Sequence, residues 1–156
     1  MSGKAPKARF DVVTREVRAS PEAVFAVLAD PARHPALDDS GMVVRLVAGV
    51  PVTAVGQVFR MAMSMGPGNH YETDNHVTVC EPGRAIGWAV ADPGQQPLGW
   101  SWRFDLEPSE GGTLVRQTYD WSGVTDPEVL RTIPFPAVPR DVREETLVLL
   151  AEAVEH

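Results

Sequence analysis

The stretch RDVREETLVLLAEAVE, residues Arg140 to Glu155, decides how the rest of the chain is read. Leu147, Leu150, Ala151 and Val154 recur at i, i+3, i+4 and i+7, which is one face of a 3.6-residue period. Asp141, Glu144 and Glu145 place acid in the first turns, where the helix dipole favours it. Almost everything upstream reads as strand. One long helix after a run of strands must bury its apolar face on their sheet, because neither element can bury its own. The space between a curved sheet and a single helix is then the natural place for a ligand.

Working back from that helix, Pro134, Pro136 and Pro139 interrupt the path, and Asp126 to Thr132 reads as a short helix. Before it come strands with period-2 alternation. Thr113 to Trp121 aligns Val115, Gln117, Tyr119 and Trp121. Gly99 to Leu106 aligns Trp100, Trp102, Phe104 and Leu106, and Arg84 to Ala91 aligns Ile86, Trp88 and Val90. His70 to Glu81 puts Tyr71, Thr73, Asn75, Val77 and Val79 on one face and His70, Glu72, Asp74, His76 and Thr78 on the other. Gly56 to Met65 aligns Phe59, Met61, Met63 and Met65, while Gly41 to Ala48 sets Val44, Leu46 and Ala48 against Val43, Arg45 and Val47. Short turns such as Gly66 to Asn69 and Glu81 to Gly83 imply consecutive antiparallel pairing. At the start, Arg9 to Arg18 is the first strand. Ser20 caps a helix that has Pro21 at its first position and carries Val24, Phe25, Val27 and Leu28. That helix ends at Asp30 and Pro31, and a second short one follows over Ala32 to Leu37. The expectation is an α+β fold, a seven-stranded antiparallel sheet curved around the final helix.

The chain of 156 residues is expected to be one domain over residues 9–156, with a polar lead-in from Met1 to Ala8 that reads as disordered and not as a signal peptide. No apolar run approaches the roughly 20 residues of a membrane helix. A net charge of −7 without a basic cluster argues against nucleic acid and anionic membrane surfaces as partners. Cys80 is the only cysteine, so an internal disulfide is excluded, which fits a reducing, cytoplasmic setting. Gly66-Pro67-Gly68 precedes a strand and not a helix, so it is no phosphate cradle, and no cofactor is expected. Monomer and homodimer both stay open.

The order strand, two short helices, six strands, long helix is that of the helix-grip fold. Val17 to Phe25 (VRASPEAVF) followed by Leu28-Ala29-Asp30-Pro31 resembles the opening of the START-like (SRPBCC) superfamily of polyketide cyclases and dehydrases, lipid carriers and pollen-allergen-type binders. Val55-Gly56, Asn75-His76-Val77, Glu81 to Trp88 (EPGRAIGW) and Gly112 to Val115 fit the same pattern. The resemblance spans roughly Arg9 to Val154. It implies the helix-grip architecture and a cavity between the long helix and the concave sheet face. It carries no shared catalytic motif onto particular residues.

The aligned parities give an expected ligand-binding face of Phe59, Met61, Met63, Tyr71, Asn75 and Trp88, continued by Trp102, Phe104, Gln117, Tyr119 and Trp121, with Leu147 and Leu150 opposite on the helix. The plainer reading is core packing; the excess of Met and Trp favours an adaptable pocket wall. Asn75, Gln117 and Tyr119 are polar on an otherwise apolar face, so each needs a partner: protein, water or ligand. Tyr119 or Asn75 could polarise a carbonyl of a polyketide-like substrate. His34, near Asp38 and Asp39, is either a general base at the cavity mouth or a solvated loop histidine. His70, Asp74 and His76 share a face at spacings a metal could use, but that face reads as polar and outward, and no metal is expected. Arg60 and Arg103 fall on the same outward face, and Cys80 reads as a small, inert thiol. Three functions follow in order: binding of a small, mainly hydrophobic molecule in an internal cavity, aromatase/cyclase or dehydratase chemistry in the same cavity, and a protein-interaction module without a ligand.

Overall fold

Short turns between successive strands leave antiparallel pairing as the only way to join them, and the computed structural model, which describes residues 8–155, builds one sheet on that rule. Apart from Ala8, the expected disordered lead-in lies outside the described residues. The strands are β1 (Phe10–Val17), β2 (Val43–Ala48), β3 (Val58–Ser64), β4 (His70–Glu81), β5 (Ala85–Ala91), β6 (Ser101–Ser109) and β7 (Gly112–Asp120). Their order is β1-β7-β6-β5-β4-β3-β2, all antiparallel, so β2 to β7 form a meander and β1 closes on β7. Two short helices follow β1: α1 (Pro21–Leu28) and a 3-10 helix (Pro31–Leu37). After β7 come α2 (Pro127–Thr132) and α3 (Arg140–Val154). This is the expected curved α+β helix-grip arrangement. Among the described residues no helix is long and apolar enough to cross a membrane.

Local chemistry sets the element ends. Ser20 accepts from Ala23 N at 3.1 Å and caps α1, with Pro21 in the first turn. Asp30 accepts from Ala32 N and starts the 3-10 helix. The hydroxyl of Thr113 donates to Ala19 O at 2.7 Å, fixing the β1–α1 connection to the head of β7. The backbone before β6 passes so close to that after β7 that a Cβ at Gly99 (φ +121°) would collide with Gly123 O.

Register decides which side chains share the concave face. Val13, Gln117, Phe104, Ile86 and Cys80 form one row across five strands, and Tyr119, Trp102, Trp88 and Val77 form the next. Asn75 lies between Phe59 on β3 and Val90 on β5, and Thr73 and Tyr71 lie opposite Met61 and Met63. Three expected alternations change. A bulge between Val77 and Val79 switches parity, so Cys80 and not Val79 continues the core row. Irregularities in β2 place Val43 and Leu46 opposite Met63 and Met61, which breaks the expected grouping of Val44 with Leu46 and Ala48. Met65 lies beyond the end of β3 and is exposed.

The stripe of α3 is buried as expected: Leu147, Leu150 and Ala151 are covered, and Val154 is half-buried. The stripe continues one turn further back to Arg143, which is as buried as the leucines. Leu150 is fully enclosed, so truncating it to Ala should lower the unfolding free energy by about 2–5 kcal/mol. Leu150→Asp, which sets an unpaired charge in the same place, should abolish the cooperative transition in a urea melt. A Leu150→Asp protein that unfolds at the parental urea midpoint would reassign the buried face of α3.

Candidate functional site

The concave face is built from aromatic side chains because alternate positions of β3 to β7 are aromatic or apolar, and the register sets them side by side. Trp102 stacks on Tyr119 with centroids 4.2 Å apart and planes 5° from parallel. Trp88 sits 5.6 Å from Phe59 and 5.8 Å from Phe104. A second chain of rings runs off the end of the sheet: Tyr119 to Trp121 at 5.1 Å, Trp121 to Phe135 at 6.5 Å, and Phe135 to Trp100 at 5.5 Å. With Val124 and Val138 these form a satellite cluster, joined to the main core through Trp100 and Trp102. Trp121, expected on the pocket face, belongs to this cluster, past the end of β7. Met61 is buried, Met63 and Trp102 are half-buried, and Tyr71 is 37% exposed at the rim, where burial still raises its pKa.

His34 differs most from its plainer reading. It is half-buried on the 3-10 helix, with its ring stacked 5.0 Å from Trp88 and edge-on to Phe59 at 5.4 Å. Its Nε2 lies 2.8 Å from Leu28 O and donates to it, which leaves Nδ1 as the acceptor, with no protein partner among the described residues. Burial lowers its pKa; the bond to Leu28 and the charge of Asp30 offset this in part. The imidazole is therefore neutral at pH 7. The expected pairing with Asp38 is not made: that carboxylate instead accepts from Ser40 and from Val43 N, pinning the entry to β2.

The three polar residues on the face separate. Asn75 is satisfied by the backbone: its Nδ2 donates to Phe59 O at 3.2 Å and to Thr73. The hydroxyl of Tyr119 accepts from Ala137 N at 3.3 Å, which ties the proline-rich segment before α3 to the sheet and leaves its own O–H free to donate. Burial raises the Tyr119 pKa, partly offset by Ala137 and by the charge of Arg143, so the phenol keeps its proton. Gln117, 2% exposed between Val13 and Phe104, has an amide oxygen with no partner among the described residues.

The sequence reading missed Arg143. Its Nη1 donates to Asp11 Oδ2 at 2.9 Å, its Nε to Val138 O at 3.1 Å, and its guanidinium lies 5.4 Å from the Tyr119 ring centroid. Asp11 also accepts from Arg140 at 2.7 Å and 2.8 Å. Burial works to raise the Asp11 pKa, but the hydrogen bonds from Arg143 and Arg140 outweigh it and hold the carboxyl below its usual range. The signal was present in the sequence: Arg143 lies four residues before Leu147 on the same stripe, and Asp11 shares the parity of Val13.

The outward face is paired off. Arg60 forms a two-point bridge with Asp74 at 2.7 and 3.1 Å, and Asp74 also accepts from Gly94 N. His76 donates to Gln95 O. His70, Asp74 and His76 therefore do not converge, and among the described residues no group of three such side chains could hold a metal. Arg103 pairs with Asp105. Two shallow, open recesses lie away from α3. One, of about 200 Å³, is lined by Gly49, Val50, Val52, Gln57, Val58 and Phe59. The other, of about 220 Å³, is a polar hollow on the outward face among Arg84, Arg103, Asp105 and Arg116.

Comparison with known proteins places this geometry. Residues 11–155 match the model of a family described as polyketide cyclase/dehydrase and lipid transport. The uncharacterized protein Rv0088 of Mycobacterium tuberculosis is 34% identical over 107 residues, a match covering 68% of this chain and 45% of that protein. The chain thus spans less than half the length of that relative. Among solved structures, protein CV1439 of Chromobacterium violaceum superposes with a TM-score of 0.70 at 19% identity, covering 95% of this chain and 99% of that one. The Polyketide_cyc-like protein Cgl2372 of Corynebacterium glutamicum gives 0.54 at 24% identity, covering 96% and 85%. At these identities the structural likeness is one of fold.

Asp11 supplies a test of its ion pair with the buried Arg143. Its depressed pKa means stability that is fully present above the unfolded carboxyl pKa of about 3.9 and is lost as pH falls through the lower folded value. Asp11→Asn should therefore be less stable at pH 7 and lose less stability than the parent on acidification below about pH 4. Adding Arg143→Met should restore part of the loss, since the buried cation left alone is then removed. Urea midpoints at pH 7 and pH 3 for parent, single and double variants read both effects.

Proposed function

The chain belongs to the polyketide cyclase/dehydrase and lipid transport family, and from that premise we propose that it binds a small, mainly hydrophobic molecule between the concave sheet face and α3. The observation that carries this reading is the makeup of that face: Phe59, Met61, Trp88, Trp102 and Phe104 are interrupted by very few polar atoms, one of them an unpaired amide oxygen. Apolar walls with a small number of placed polar groups are what small-molecule sites are made of. Neither of the two shallow recesses lies under α3, so in this reading a ligand enters by displacing side chains. Met61, Met63 and the half-buried Trp102 are suited to that, the thioethers because they are flexible and polarizable. The reading extends to the remaining expected contacts, Tyr71, Asn75, Gln117, Tyr119, Leu147 and Leu150, and the single thiol fits a reducing cytoplasm.

A second reading, cyclase or dehydratase chemistry in the same space, is favoured by His34. A neutral imidazole with a free Nδ1, held by Leu28 and stacked on Trp88, is a base ready to take a proton α to a carbonyl. Tyr119 would donate its O–H to the carbonyl oxygen.

Native mass spectrometry of freshly purified protein should reveal a co-purified apolar species, and Met63→Arg, a charge at the edge of the face, should strip it without unfolding the protein. Bare protein, together with no rise in melting temperature across a panel of apolar probes, would count against binding. For the catalytic reading, turnover of a poly-β-keto substrate should persist to a pH below the ordinary histidine value of about 6.5 and fall by about 10²–10⁴-fold in His34→Gln. Unchanged turnover in that variant would remove His34 from the chemistry.

A further inference from the structure

We propose that Gln117 is the specificity-determining contact of the sheet–helix site and that it selects ligands bearing a hydroxyl or N–H donor over otherwise equal apolar molecules. The inference deepens the binding reading above and rests on it.

Of the three polar side chains Asn75, Tyr119 and Gln117 on the concave face, the first two are accounted for by the protein. Asn75 is held by Phe59 O and Thr73, and Tyr119 by Ala137 N. Gln117 differs: it is 2% exposed, and its Oε1 has no partner among the described residues. The register places it in the row Val13–Gln117–Phe104–Ile86, among residues that offer the amide no side-chain donor. A buried acceptor left without a hydrogen bond costs about 1–3 kcal/mol. An apolar residue of similar length would fill the position without that cost. What the amide oxygen provides is a request for a donor. No donor among the described residues meets it: the Tyr119 O–H, two positions along the same strand face, makes no bond to Oε1, and Arg143 donates through Nη1 to Asp11 and through Nε to Val138 O.

The chemistry of the request defines the ligand. A carbonyl oxygen accepts and cannot donate, so a hydroxyl or N–H matches it. A carboxylate brings only acceptors and a charge that the apolar face would have to desolvate. A methyl ether or hydrocarbon leaves Oε1 unpaired. The ligand end that reaches Gln117 is therefore an alcohol, phenol or amide N–H, with the apolar body against Trp88, Trp102 and Phe104.

The test compares two probes of nearly equal shape, 2-naphthol and 2-methoxynaphthalene, by titration of tryptophan fluorescence against the parent protein and Gln117→Met. The parent should bind the naphthol about tenfold more tightly, the yield of one net hydrogen bond. Gln117→Met should bind both and bring the ratio close to one, by weakening the naphthol and leaving the ether unchanged. Equal binding of both probes by the parent would overturn the proposal while leaving the binding reading intact, and would mean that a water or the amide nitrogen meets the site. A preference that survives in Gln117→Met would equally overturn it. Failure of the parent to bind either probe would bring down the binding reading and this one together. Gln117→Met should also be at least as stable as the parent, because it removes an unpaired acceptor; a variant that cannot fold would mean that Oε1 is satisfied within the protein, and the proposal falls.

Discussion

The burial of Arg143 is the constraint on which the arrangement around α3 turns. A guanidinium taken out of water is tolerated only with its donors placed. Here they are placed on three parts of the chain at once: Asp11 on β1, Val138 O in the proline-rich entry to α3, and the face of Tyr119 on β7. The leucines of α3 supply most of the apolar burial, yet apolar contact is non-directional and would tolerate a range of helix positions. Hydrogen bonds from one guanidinium do not. They fix how far along the sheet the helix sits, and so how much of the concave face it covers.

That fixing has a consequence for the site. The hydroxyl of Tyr119 accepts from Ala137, one residue before the carbonyl that receives Arg143. Sheet, entry segment and helix are thus bound at a single corner, over the satellite cluster of Trp121, Val124 and Phe135. At the opposite end Glu155 accepts from Arg18 N and ties the helix terminus to the chain before α1. The polar bonds of α3 to the rest of the chain thus gather at its two ends. Between those anchors it packs through the apolar surface of Leu147, Leu150 and Ala151, which is non-directional. The face beneath is lined by side chains of the adaptable kind, Met61 and Met63, and by half-buried Trp102.

The architecture was legible in the sequence because the alternation of β3 to β7 is long and regular, and because one helical stripe after it has only one place to go. The details that failed are those where period counting has no purchase. The bulge at Val77 and Val79 shifts parity by one residue, and nothing in HVTVCE announces it. The irregular pairing of β2 defeats alternation in the same way. Arg143 was passed over because a charged residue is read as solvent-facing by default, although its spacing from Leu147 put it on the buried stripe. His34 was read beside Asp38 and Asp39 because they are near in sequence; the fold instead turns its ring onto Trp88, more than fifty residues away, and gives Asp38 to the backbone of β2.

The candidate site was legible as a face and not as a set of roles, for a physical reason. Alternation tells which side of the sheet a residue occupies; it says nothing about whether its polar atoms are satisfied. Asn75, Gln117 and Tyr119 look equivalent in sequence. They part only when hydrogen bonds are assigned, since backbone carbonyls reach Asn75, a backbone N–H reaches Tyr119, and neither reaches the Gln117 oxygen. The same sorting separates the two functional readings. A binding protein needs the unpaired acceptor and the soft wall. The catalytic reading also needs a proton acceptor, and the burial that packs the His34 ring against Trp88 also favours its neutral form. Ring packing and protonation state at this position therefore share one cause, so a substitution that preserves the ring stack while removing the basic nitrogen separates the two, which truncation to a small residue cannot do.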